Sequence, residues 1–68
     1  MERGDYTKAV ELFKTVINSE PEFPDAYIHL ASIYIDQGEW DKANDLLVTA
    51  LELNPDSHYA NQLYDSIN

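Results

Sequence analysis

GDYTKAVELF at residues 4–13 and GEWDKANDLL at residues 38–47 say nearly the same thing within a chain of 68 residues. Sliding the chain along itself by 34 positions pairs Gly4 with Gly38, Tyr6 with Trp40, Lys8 with Lys42, Ala9 with Ala43, Leu12 with Leu46, Thr15 with Thr49 and Pro21 with Pro55. An enzyme of this length is expected to place its informative residues once, around a single site, whereas a stacked helical repeat writes the same packing instruction into each unit. Tyr6, Ala9, Val10, Phe13, Val16 and Ile17 fall at i, i+3, i+4, i+7, i+10 and i+11, one stripe of an amphipathic helix. Trp40, Ala43, Leu46, Leu47, Ala50 and Leu51 run along a second. Asp5 stands as a cap candidate ahead of the first helix, and Asp5, Glu39 and Asp41 put negative charge where the helix dipole is positive. Pro21 and Pro55 end the two helices.

Between the echoes, residues 24–37 form a third periodic segment. Pro24 suits a first helical position, Tyr27, Leu30, Ala31 and Tyr34 make the stripe, and Gly38 supplies a tight stop. The tail, residues 56–67, opens on Asp56 and Ser57 as caps and carries Ala60, Leu63, Tyr64 and Ile67 at the same spacing. No segment alternates with period two over a useful length. The expected fold is therefore all-α, with four helices in antiparallel helix-turn-helix units.

Composition narrows the functional classes. A chain this short buries roughly 60% of its unfolded surface and has little room for a deep catalytic cavity. Thirteen acidic against four basic residues give a net charge of -9, which opposes binding to phosphate backbones and anionic lipid surfaces. There is no cysteine, so disulfides, thiolate metal sites and thiol nucleophiles are excluded. The most apolar stretch, residues 26–35, contains His29 and Ser32 and is far shorter than the run of about 20 residues that spans a bilayer. The first ten residues hold two acids and no apolar core of a secretory signal. A soluble, cytoplasmic protein is the expectation, without nucleic-acid or membrane partners.

Tyr27-x2-Leu30-Ala31-x2-Tyr34, followed by Ala43-x3-Leu47 and Pro55, resembles the tetratricopeptide repeat, and Ala9-x3-Phe13 with Pro21 resembles the second half of a preceding unit. The resemblance covers essentially the whole chain. Tyr27 stands where the family has Trp and Ala31 where it has Gly. Small residues, Ala31, Ala43 and Ala50, fall where helices must approach closely, and Tyr27, Leu30, Tyr34, Trp40 and Leu47 are expected to fill the gaps between helices. The domain then reads as a second-half helix at 5–19, a complete repeat at 24–54 and a capping helix at 56–67. In that last helix Asn61 and Asp65 take the places of Tyr27 and Ala31, so a following helix could not pack there without burying a carboxylate.

The resemblance implies a protein-interaction scaffold in which first-half helices line a concave groove. Here those helices would be residues 25–37 and 56–67, which together hold four aspartates and no Lys or Arg, while Arg3, Lys8, Lys14 and Lys42 all lie elsewhere. Ile28 and Ile35 sit two turns apart, off the packing stripe, with Ser32 between them on one face. Asp25, His29 and Asp36 flank them, and Tyr59, Gln62 and Ser66 occupy matching places on the last helix. On the functional reading this acidic and apolar groove holds a peptide or partner helix with apolar anchors and basic flanks. Ile28→Arg would then abolish capture and leave the melting temperature nearly unchanged. On the structural reading neighbouring helices cover both isoleucines, and the same change unfolds the protein. Family members that grip the C-terminal carboxylate of heat-shock chaperones use Lys, Arg and Asn in the groove, which Ile28 and Ser32 do not supply.

Other chemistries find less support. Asp25, His29 and Ser32 lie at i, i+4 and i+7, but nothing nearby offers an oxyanion site or excludes water, so no enzyme activity is expected. His29 and His58 have no ligand spacing, and residues 36–39 lack the acids of an EF-hand loop; no metal or other cofactor is expected. Self-assembly is the rival function. The chain holds a second-half helix at its start and a first-half helix at its end, complementary in kind, and a designed or natural repeat unit could oligomerise through them.

Overall fold

The computed structural model describes residues 3–67, with side chains from Tyr6 onward. Four helices follow one another: α1 (Arg3–Ser19), α2 (Pro24–Asp36), α3 (Trp40–Leu53) and α4 (His58–Ile67). Short connections make consecutive helices neighbours. α2 is central: α1 and α3 each pack on it, α4 packs chiefly on α3 and more sparingly on α2, and among the described residues α1 and α3 are not packed on each other.

Local chemistry sets the boundaries. Pro24 occupies the first turn of α2, where no N–H is needed. α2 stops at Gly38, whose φ of 78° is in the left-handed region. The Gly38 N–H bonds the Ile35 carbonyl at 3.0 Å and the Glu39 N–H bonds the Tyr34 carbonyl at 2.8 Å, which is the paired closure of a Schellman motif. Before α4 the Ser57 hydroxyl oxygen accepts the Ala60 N–H at 3.3 Å. Ser57 is thus the cap, α4 begins at His58, and Asp56, expected as the helix start, lies in the preceding turn. Asp5 does not precede α1 as a cap, because helical backbone already begins at Arg3.

The repeat extends to individual hydrogen bonds. Tyr27 Oη donates to the Pro21 carbonyl at 2.7 Å, and 34 residues on, Asn61 Nδ2 donates to the Pro55 carbonyl at 3.2 Å. Thr15 and Thr49 each return a hydroxyl to the carbonyl four residues earlier, Glu11 and Asp45 respectively. The Phe23 and Ser57 N–H groups close the two helix connections on Glu20 and Asn54, both at 3.1 Å. Asn61, which departs from the family pattern, therefore keeps the bond that ties a helix to the proline before it.

The core is a single cluster of Ile28, Leu30, Ala31, Tyr34, Ala43, Leu47, Ala50 and Ala60. Ala31, Ala43, Ala50 and Ala60 are completely buried, as expected where backbones approach too closely for larger side chains. Leu30 and Leu47 are the largest fully buried side chains. Trp40, expected among the gap-fillers, is instead 53% exposed. Its counterpart Tyr6 is held by a hydrogen bond of 2.8 Å from its hydroxyl to Asp36, in the last turn of the following helix, whereas Trp40 stands at the first position of α3 and, among the described residues, is not packed against the core cluster.

At about 0.05–0.15 kcal/mol per residue the whole domain is stable by roughly 3–10 kcal/mol. Leu47→Ala is expected to remove about 2–5 kcal/mol of that, and Trp40→Ala less than about 1 kcal/mol. Urea titrations followed by circular dichroism compare the two; equal losses would place Trp40 in the core.

Candidate functional site

α2 and α4 present the nine sequence-predicted contact residues. Asp25, His29, Asp36, Tyr59, Gln62 and Ser66 are exposed, and Ser32 and Ile35 are half-buried. Ile28 is different: at 3% exposure it belongs to the core cluster. The expectation that it is presented to a partner is corrected by the three-sided packing of α2, which needs a wider apolar arc than the Tyr27/Leu30/Tyr34 stripe supplies. Ile35 rests partly against the same cluster.

Two polar candidates are engaged by α1. The His29 ring stacks on Phe13 with centroids 5.6 Å apart and an interplanar angle of 22°, which places His29 at the α1/α2 seam. Its counterpart 34 residues later, Leu63, packs against the cluster that contains Leu47, the counterpart of Phe13. Asp36 accepts the Tyr6 hydroxyl at 2.8 Å. Asp25, Ser32 and Ile35 on α2 and Tyr59, Gln62 and Ser66 on α4 keep accessible surface. α2 and α4 carry Asp25, Asp36 and Asp65 and no Lys or Arg, while Asp56 stands just before α4.

Residues of α1, α2 and α3 line a cleft of about 370 Å³, which no local sequence pattern marks. Residues far apart in the chain, Lys14 on α1 and Lys42 on α3, meet there above Leu30 and Tyr34 of α2. The Lys42 Nζ lies 5.5 Å from the centre of the Tyr34 ring, a cation–π distance. Among the described residues no group of three or more His, Asp or Glu is arranged to hold a metal, and no helix is long and apolar enough to cross a membrane.

Four antiparallel helices with a 34-residue period and alanine-lined seams define a helical repeat module. The tetratricopeptide repeat family profile matches residues 1–67, and the chain belongs to that family. Comparison with curated proteins finds no match. Tetratricopeptide repeats are typically non-catalytic and serve as protein-protein interaction scaffolds.

Ile28→Arg is expected to unfold the protein, since it buries a charge with no partner; a circular dichroism melt that retains the native transition would return Ile28 to the surface. The Tyr6–Asp36 pair makes an alkaline prediction. Asp36 raises the Tyr6 pKa above 10.0 by its hydrogen bond, followed by loss of hydration and repulsion between phenolate and carboxylate. The folded state then holds this proton more tightly than the unfolded chain. The pair's stabilisation is complete below pH 10.0 and is lost as pH rises through the raised value. Ultraviolet titration should show one tyrosine ionising earlier in Asp36→Asn, and Tyr6→Phe should lose stability less steeply above pH 10.0 than the parent.

Proposed function

We propose that the chain is a scaffold module that holds a peptide or partner helix across α2 and α4, with basic flanks on the ligand and apolar anchors against Ile35 and Tyr59. The observation that carries this reading is the pairing of an exposed aromatic, Tyr59 at 46% exposure, with a helix pair that bears aspartates and no Lys or Arg. Complementary charge steers such a ligand and fixes its register, while the aromatic supplies area at low entropic cost. Asp25, Ser32, Gln62 and Ser66 complete the polar rim, His29 and Asp36 border it from the α1 side, and Ile28 supports it from the core. In family terms α1 is a second half, α2 with α3 a complete repeat, and α4 a first half.

A capped peptide alternating leucine and lysine is the probe. Tyr59→Ala and Asp25→Lys, both at exposed positions, should each weaken its binding roughly tenfold with unchanged melting temperature. Affinity unaltered in both variants would sink the proposal.

Trp40 favours a second reading, self-assembly, because this large apolar side chain is 53% exposed. A second copy could cover it. As the only tryptophan, Trp40 would report such an assembly by a blue shift of its emission as concentration rises, alongside a sedimentation mass above that of one chain. A constant spectrum with monomer mass removes this reading.

A further inference from the structure

We propose that the cleft between α1 and α3 is a second binding site, for a peptide segment that carries a carboxylate beside a large apolar side chain. The walls are Lys14 and Ile17 on one side and Lys42 and Leu46 on the other, and α2 supplies the floor. Two of the four basic residues in a chain of net charge -9 thus converge on one apolar depression. They do not come together through the repeat, since the counterpart of Lys14 is Val48 and that of Lys42 is Lys8. The arrangement is particular to this cleft.

The ligand class follows from three features. The lysines lie at the exposed rim, where an ammonium keeps its hydration and gives charge-assisted hydrogen bonds to a carboxylate. Beneath them Leu30 and Tyr34 are buried at 2% and 8% exposure, so the floor is a fixed apolar surface. The volume of about 370 Å³ is at the small end of the ~300–1,000 Å³ range of ligand clefts, and suits one or two side chains rather than a helix face. Asp45 also borders the cleft, and the chain as a whole repels anions. A simple anion therefore gains too little from two lysines to stay, and apolar contact with the floor has to supply the difference. The combination selects an acidic and apolar segment over a purely acidic one. The proposed α2/α4 site, with its aspartates, selects the reverse charge.

The probe is a capped peptide alternating leucine and glutamate, titrated into the intact isotopically labelled chain and followed by amide NMR. Shifts should map to Lys14, Ile17, Lys42 and Leu46. Lys14→Glu and Lys42→Glu should each weaken binding roughly tenfold, and Asp45→Asn should tighten it. Lys42→Gln, which keeps the side-chain stem near Tyr34, serves if the reversal disturbs folding. A polyglutamate peptide should not bind. Shifts confined to α4, affinity indifferent to both lysines, equal binding of the leucine-lysine peptide in the cleft, or no binding at millimolar peptide would each overturn the proposal. The leucine-lysine peptide tested against Tyr59→Ala reports separately on the α2/α4 face, so either site can fail without the other.

Discussion

Burial of α2 on three sides is the constraint on which the rest of the molecule depends. One helix has to satisfy α1, α3 and α4 at once, so its apolar arc extends well beyond a single stripe and includes Ala26, Ile28, Leu30, Ala31 and Tyr34. Ala31 and Ala43 are fully buried, one in α2 and one in α3. A larger side chain at either would push those helices apart and uncover Leu30 and Leu47, the two largest fully buried side chains. The peripheral helices bury less: α3 keeps three residues fully inside, α4 only Ala60. This uneven distribution follows the contacts: α2 packs against three helices, α4 mainly against α3.

The fold was legible because a repeat states its instructions more than once. Punctuation by Gly38, Pro21 and Pro55, the alanine positions and the stripe of α2 are local patterns, and each maps onto a local cause in the structure. What the pattern left open was equally local. Ile28 lies off the Tyr27/Leu30/Tyr34 stripe and admitted two readings, and its burial follows the structural one, because α2 packs against three helices. Trp40 was expected among the gap-fillers because a large side chain falls at that place in the repeat, but what holds its counterpart Tyr6 is a bond to a residue 30 positions further on, which the repeat pattern does not carry. Asn61 takes the place of Tyr27, and its amide reaches Pro55 much as the Tyr27 hydroxyl reaches Pro21. In that case different shapes satisfy the same backbone demand, which a comparison of residue size could not reveal. The α1/α3 cleft lay beyond any such reading, because it is assembled from non-equivalent positions in two repeats.

Charge is distributed in the opposite way from packing. The packing pattern repeats with the unit, whereas among the lysines only Lys8 and Lys42 follow it: Lys14 has no basic counterpart, and α2 and α4 hold no Lys or Arg. Binding surfaces in a stacked array are free to diverge because the side chains that hold the stack and those that face outward occupy different arcs of the same helices. α2 shows this within one element. Leu30 and Tyr34 form the floor of the α1/α3 cleft, Ala31 is sealed inside, and Ser32 and Ile35 contribute to the face shared with α4.

That shared helix also links recognition to folding. A domain stabilised by only a few kcal/mol gains by RT ln(1 + [L]/Kd) from any ligand that binds the native state alone, about 2.7 kcal/mol at a hundredfold excess over Kd. For a chain of 68 residues, such a gain is a large fraction of the total. Because α2 is the element every other helix leans on, a ligand on either proposed face would stabilise the same cooperative unit. Two ligands that each favour the folded chain would then appear mutually reinforcing whenever part of the population is unfolded, with no contact between the sites and no change of shape in the folded state. In a module this small, apparent cooperation between faces follows from marginal stability and a common core.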